Sequence, residues 1–241
     1  MIQSDGMNAI VSTVRKDLQK NADDKTKASF QRFFKEKVLF HGVKSHLVEK
    51  IAKENFKKIQ GDKKKEVFDL CEELLQSGYC EEALVAANWA YALRKDFEPT
   101  DFQTFERWIE TYIDNWAECD TLCNHTVGSF MEQFPEYIEK LKIWTTSKNR
   151  WARRAAAVTL IVPAKKGMFL KDVFEIADRL LVDSDDMVQK GYGWMLKEAS
   201  RTHQKDVFGY VMKHKNVMPR TALRYAIEKM PLDLRQKAMA K

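Results

Sequence analysis

Glycine and proline are scarce, nine and five in 241 residues. That is too few for a chain of many short strands and tight turns, and no Asn-Gly hairpin signal occurs. No run of eighteen apolar residues exists, which excludes a hydrophobic helix crossing a bilayer. The first six residues, Met1 to Gly6, lack the basic-then-apolar layout of a signal peptide. Cysteine is limited to Cys71, Cys80, Cys119 and Cys123. Four thiols in a chain this long do not form a disulfide framework; they fit a reducing cytoplasm, where a thiol packs as a small apolar group. Glycine-rich phosphate loops, zinc-protease helices, nucleophile elbows and dinucleotide fingerprints are all missing. The spacing Cys119-x3-Cys123-x-His125 has a faint look of metal ligands, but zinc usually needs a second pair, so neither metal nor cofactor is expected.

What is present is charge, unevenly placed. The chain is 44% apolar and 32% charged, the balance of a globular protein somewhat rich in charge. From Lys140 to Lys241 there are 22 Lys and Arg against 10 Asp and Glu, whereas residues 1–139 hold 19 against 25. A C-terminal part carrying +12 beside an N-terminal part at −6 points to a polyanionic partner. Nucleic acid suits this better than a membrane surface, which would call for a basic amphipathic helix with exposed bulky apolar residues. The plainer alternative is a solvated helical surface that happens to be lysine-rich.

The hydrophobic pattern is helical nearly throughout. Residues 81–95 open acidic and close basic, in the sense the helix dipole favours. Residues 169–182 place Phe169, Val173, Ile176 and Leu180 on one stripe. Ser184-Asp185-Asp186 caps a helix over about 187–200, and Gln204 or Asp206 opens the next. Breaks near Gly61, Gly78, Pro99, Pro135, Pro163 to Gly167, Asp183 and Pro219 divide the chain after its N-terminal helices (residues 1–60) into helix pairs near 63–96, 101–133, 136–164, 169–200 and 204–230. A loose period of about 30–36 residues is expected of stacked helix pairs in a HEAT-like solenoid. The predicted fold is therefore all-α, a single domain over residues 1–241 with a concave, basic face. A compact helical bundle is the alternative.

Four segments carry the most specific signals. They are Gln31-Arg32-Phe33-Phe34 leading through an apolar run to Gly42-Val43; Trp116-Ala117-Glu118-Cys119-Asp120; Arg153-Arg154-Ala155-Ala156; and Gln189-Lys190-Gly191-Tyr192-Gly193-Trp194-Met195-Leu196-Lys197-Glu198. As a set they resemble the AlkD-type DNA alkylation repair enzymes, HEAT-like repeat alkylpurine DNA glycosylases. The last segment is the most specific of the four. Two departures are visible: Phe33 stands where the family often has tyrosine, and Ala117 replaces the first aspartate of its Trp-Asp-x-Val-Asp motif.

The resemblance implies a monofunctional DNA glycosylase of base excision repair, acting on cationic N3- and N7-alkylpurines such as 3-methyladenine and 7-methylguanine in double-stranded DNA, without deep base flipping. With the base not flipped deeply, a base-sized cavity would not be expected; nothing in the sequence demands more than a monomer. A purine already cationic leaves without a general acid. The demand falls on the deoxyribose, which becomes oxocarbenium-like as in glycoside hydrolysis. The resemblance assigns Asp120 to stabilise that cation and orient water, with Trp116 and Trp194 as flanking indole faces. Arg154 is matched as a phosphate contact; Arg153, Lys190, Phe33, Lys148 and Arg150 are further DNA-binding candidates, Phe33 without the hydroxyl that could reach a phosphate, and Lys165, Lys166, Arg220 and Arg224 are auxiliary phosphate candidates. Each has a plainer reading. Asp120 could be a helix N-cap, and tryptophans in helical proteins mostly fill the core, as Trp89, Trp108 and Trp144 are expected to. A non-catalytic HEAT-like nucleic-acid- or protein-binding scaffold is the competing functional class.

Overall fold

The structure, a computed structural model, describes residues 2–240, with side chains from residue 9 onward; the side chains of residues 1–8, including the N-terminal Met1 to Gly6, and Lys241 lie outside it. Among the described residues there is no strand, only an isolated bridge from Leu39 to Tyr79. No helix is long and apolar enough to cross a membrane. The chain divides into two compact units, Met1–Leu122 and Cys123–Lys241.

The first unit contains α1 (Ile2–Lys20), α2 (Asp24–Gln31), α3 (Ser45–Phe56), α4 (Lys64–Leu75), α5 (Cys80–Ala92), α6 (Asp101–Thr111) and α7 (Trp116–Thr121). Helix α5 is Ala-rich and apolar nearly all round, the composition of a helix buried among others. It packs against α3, α4 and α7. Phe68, Phe105 and Trp108 meet edge-to-face nearby, with centroids 5.5–6.0 Å apart. The basic close expected for this helix falls instead in a separate 3-10 turn, Arg94–Asp96.

The second unit contains α8 (Gly128–Gln133), α9 (Ile138–Trp144), α10 (Arg150–Val158), α11 (Ile161–Lys165), α12 (Leu170–Leu180), α13 (Asp186–Ala199), α14 (Gln204–His214), α15 (Arg220–Ile227) and α16 (Leu232–Met239). The central helix is α13, against α10, α11, α12 and α15. It meets α15 at Gly193, where a Cβ would stand 2.8 Å from the Ala222 carbonyl oxygen and 2.7 Å from the Tyr225 Cβ. Glycine there lets two backbones meet, and the backbone is protein.

Most expected helix pairs are present with their boundaries nearly as read, although 136–164 holds α9, α10 and most of α11, and three further local expectations are corrected. Phe169 does not join the stripe of Val173, Ile176 and Leu180: it precedes α12 in the left-handed region at φ 59°, rare outside glycine. Pro163 does not break the chain, because it occupies the first turn of α11, where a missing N–H costs no hydrogen bond. The segment 101–133 is more than a helix pair: Leu122–Val127 between α7 and α8 is π-helical, a wide turn often found near functional positions.

Candidate active site

Helix α7 begins at Trp116 because Asn115 caps it, its side-chain oxygen accepting from the N–H groups of Ala117 and Glu118 at 3.1 Å each. This overturns the N-cap reading of Asp120. Asp120 lies inside the helix, one turn beyond Trp116, and is 9% exposed. Four of the six tryptophans, Trp89, Trp108, Trp144 and Trp151, are buried. The two that are not are Trp116 and Trp194.

Trp116 is joined by the N-terminal motif. Its indole stacks on Phe34 at 4.9 Å between centroids and 14° between planes, and its Nε1–H donates to the Phe33 carbonyl at 3.3 Å. Phe33 itself is 67% exposed. The loop bearing these rings is held at both ends. Gln31 donates to the Glu36 carbonyl and accepts from the Val38 N–H. The Glu81 carboxylate, at the start of α5, accepts from the N–H groups of His41, Gly42 and Val43 at 2.8–3.0 Å. Gly42 has φ +93°, and a Cβ there would meet the Asp23 carbonyl oxygen at 2.5 Å, so the turn requires glycine.

Between this loop, α5 and α7 runs a groove of about 290 Å³, at the lower limit of small-ligand sites. Its aromatic wall is Phe30, Phe33, Phe34, Phe40 and Trp116; Val43, Ser45, Cys80, Leu84 and Ala117 line the rest, with Glu81. Asp120 is not among the residues that line this groove. Sequence reasoning missed Phe30, Phe34 and Phe40, although four phenylalanines within residues 30–40 were a visible signal.

Behind α7 the acid groups cluster. Glu118 is buried; burial, then the neighbouring Asp114, push its carboxyl up to about 8 against a hydrogen bond from Asn115. Burial raises the Cys80 thiol well above its ordinary value, and the negative charges of Glu118, Glu81 and Asp114 add to it.

In the second unit most cationic candidates are engaged by protein. Arg150 pairs with Asp185, Nε to Oδ2 at 2.8 Å, and lies over the Trp151 ring. Arg153 pairs with Asp183 at 2.7 Å and donates to the Ser147 carbonyl at 2.9 Å. Lys190 pairs with Asp186 at 3.1 Å, and Lys166 with Glu132 at 2.7 Å. Arg154 is only 4% exposed: its guanidinium donates to the Met187 carbonyl and its stem lies against Gly191. So enclosed, its side chain does not suit a phosphate contact made from the surface. Lys148, Lys165, Arg220 and Arg224 are exposed. Trp194 is half-buried on α13, with the Lys197 ammonium 5.9 Å from its ring centroid and that lysine paired to Glu228.

Among the described residues the one grouping with metal-ligand spacing is Glu139, Asp172 and Glu175. The Lys142 ammonium already pairs with all three, so they act as its counterions. All four cysteines are free and buried.

A sequence model of the DNA alkylation repair enzyme family matches residues 14–230. The chain belongs to this family. Membership supports a role in DNA repair, with DNA as partner. No curated protein sequence matches the chain. Among solved structures, a predicted DNA alkylation repair enzyme from Enterococcus faecalis matches with a TM-score of 0.78 at 17% identity, covering 88% of this chain and 98% of that one. At that identity the likeness is one of fold, and it agrees with the all-helical repeat architecture of this family member.

Proposed function

We propose that the protein is a monofunctional DNA glycosylase that hydrolyses the N-glycosidic bond of N3- and N7-alkylpurines in duplex DNA. The observation that carries this reading is the pairing on α7 of a sequestered carboxylate, Asp120, with a partly exposed indole, Trp116, one helical turn away. An alkylpurine cation departs as a neutral base, so positive charge accumulates on the sugar. The Asp120 carboxylate stabilises that charge and accepts a proton from the attacking water. Trp116 offers a π-face to the same cation and, with Phe33, an apolar surface that limits stray water. Trp194 is the corresponding candidate on the second unit. Lys148, Lys165, Arg220 and Arg224 are the favoured phosphate contacts, and Arg150, Arg153 and Lys190 contribute through their remaining donors. Arg154 is assigned to holding α10 against α13.

The test is release of 7-methylguanine and 3-methyladenine from methylated duplex DNA, wild type beside Asp120→Asn. Release should fall by a factor of about 100–1,000 in the variant, the range for removing one preorganised electrostatic group, with DNA affinity preserved. Equal release by both proteins sinks the role of Asp120. No release by the wild type, with salt-sensitive DNA binding intact, moves the chain to the non-catalytic binding class.

A further inference from the structure

Helices α15 and α16 leave an open groove of about 390 Å³ between them. One side is a face of α16, with Leu232, Arg235, Gln236 and Met239 at the i, i+3, i+4 and i+7 positions that a helix presents together. The other is a face of α15, with Arg224, Ile227 and Glu228 at i, i+3 and i+4. Ile227 is buried and Met239 half-buried, whereas Leu232 is 66% exposed. A single exposed leucine means little. Here it borders two other apolar side chains between two helical ridges, a shape that a third helix fills in helix-in-groove recognition.

Charge decides which kind of helix. Arg224 and Arg235 are both exposed and make no ion pair or side-chain hydrogen bond among the described residues. The one carboxylate lining the groove, Glu228, is already compensated, by Lys197 at 3.1 Å and Lys229 at 3.7 Å. The rim is therefore positive, within the part of the chain that carries +12 over Lys140 to Lys241. DNA would satisfy the guanidiniums with phosphates, but phosphodiester oxygens gain nothing from isoleucine, leucine and methionine. A helix whose apolar stripe is bordered by carboxylates meets both demands.

We infer that the α15–α16 groove is a docking surface for an acidic amphipathic helix of a partner protein, its apolar stripe over Ile227, Leu232 and Met239 and its carboxylates on Arg224 and Arg235. This surface is independent of the proposed glycosylase chemistry. A partner seated there covers Arg224 and so competes with DNA for that guanidinium.

The test is fluorescence anisotropy of a labelled synthetic helical peptide titrated with the full chain. The peptide carries leucines at i, i+3 and i+7 with glutamates beside them, and its control has glutamine for every glutamate. The acidic peptide should bind about tenfold more tightly than the control, the scale of a hydrogen bond to a charged group set against a neutral one. Arg235→Glu should remove that advantage, and Leu232→Ser should weaken the acidic peptide about tenfold. Both positions are exposed, and either variant suffices should the other fail to fold. Arg179→Glu, the same charge reversal at an exposed position of α12 outside the groove, should change little. Absent binding, equal affinity for the two peptides, or a loss in Arg179→Glu as large as in Arg235→Glu overturns the docking surface. Two other occupants would also overturn it. A salt slope for duplex DNA lowered by Arg235→Glu and not by Arg179→Glu, without peptide binding, assigns the groove to DNA; a wild-type dimer that Leu232→Ser dissociates in sedimentation assigns it to a second copy of the chain.

Discussion

Residue by residue, what separates a functional side chain from a structural one here is how far the protein has already satisfied it. Trp89 and Trp108 are enclosed, and Trp89 donates its indole N–H to the Ala52 carbonyl at 2.8 Å; Trp116 keeps part of its surface in the open. Glu118, two residues before Asp120, shows the same principle through its charge. With its carboxyl raised from 4.5 to about 8, the folded protein holds a proton that the unfolded chain has lost. The contribution of Glu118 to stability is therefore greatest below the unfolded value, falls as pH rises between 4.5 and about 8, and levels off above that. The loss is at most about 5 kcal/mol for a shift of this size. Urea unfolding across this window should show the decline, and Glu118→Gln should flatten it while stabilising the protein at the alkaline end. An unchanged slope in the variant would assign the pH dependence to another group.

Helices in this protein are positioned by caps and by small residues. Asn115, Asn149 and Asp185 fix where α7, α10 and α13 begin; of the three, only Asp185 was read as a cap from the sequence. The glycines of α13 needed the neighbours to be interpreted. Gly193→Ala forces a Cβ against the Ala222 backbone and should cost about 1–3 kcal/mol by overpacking, despite the gain in helix propensity. Gly209→Ala in α14 meets nothing within 4 Å and should stabilise by up to about 1 kcal/mol. Opposite shifts in urea midpoint are the expected result; two shifts of the same sign would mean that α13 and α15 can separate at little cost.

Across the whole molecule the dominant quantity is the charge imbalance, +12 over Lys140 to Lys241 against −6 before it. DNA affinity should fall steeply with salt, and removing Lys148 or Lys165 should each lower the log–log slope by about 0.9. Both are exposed and carry no ion pair among the described residues. Arg153→Ala should change the slope less and the stability more, because its guanidinium already bridges Asp183 and the Ser147 carbonyl; filter binding over a salt series separates the two. The all-helical class, the helix pairs and the buried tryptophans were legible in the sequence, because periodicity, capping and scarcity of glycine and proline are local properties of a chain; Trp116 and Asp120 were singled out only by the family resemblance. The tertiary structure alone decided that Arg154 is enclosed, that Gly193 serves α15, and that Phe30, Phe34 and Phe40 gather with Trp116 over Glu81. Those outcomes depend on residues far apart in the chain competing for the same space and the same hydrogen bonds, and no local pattern records who wins.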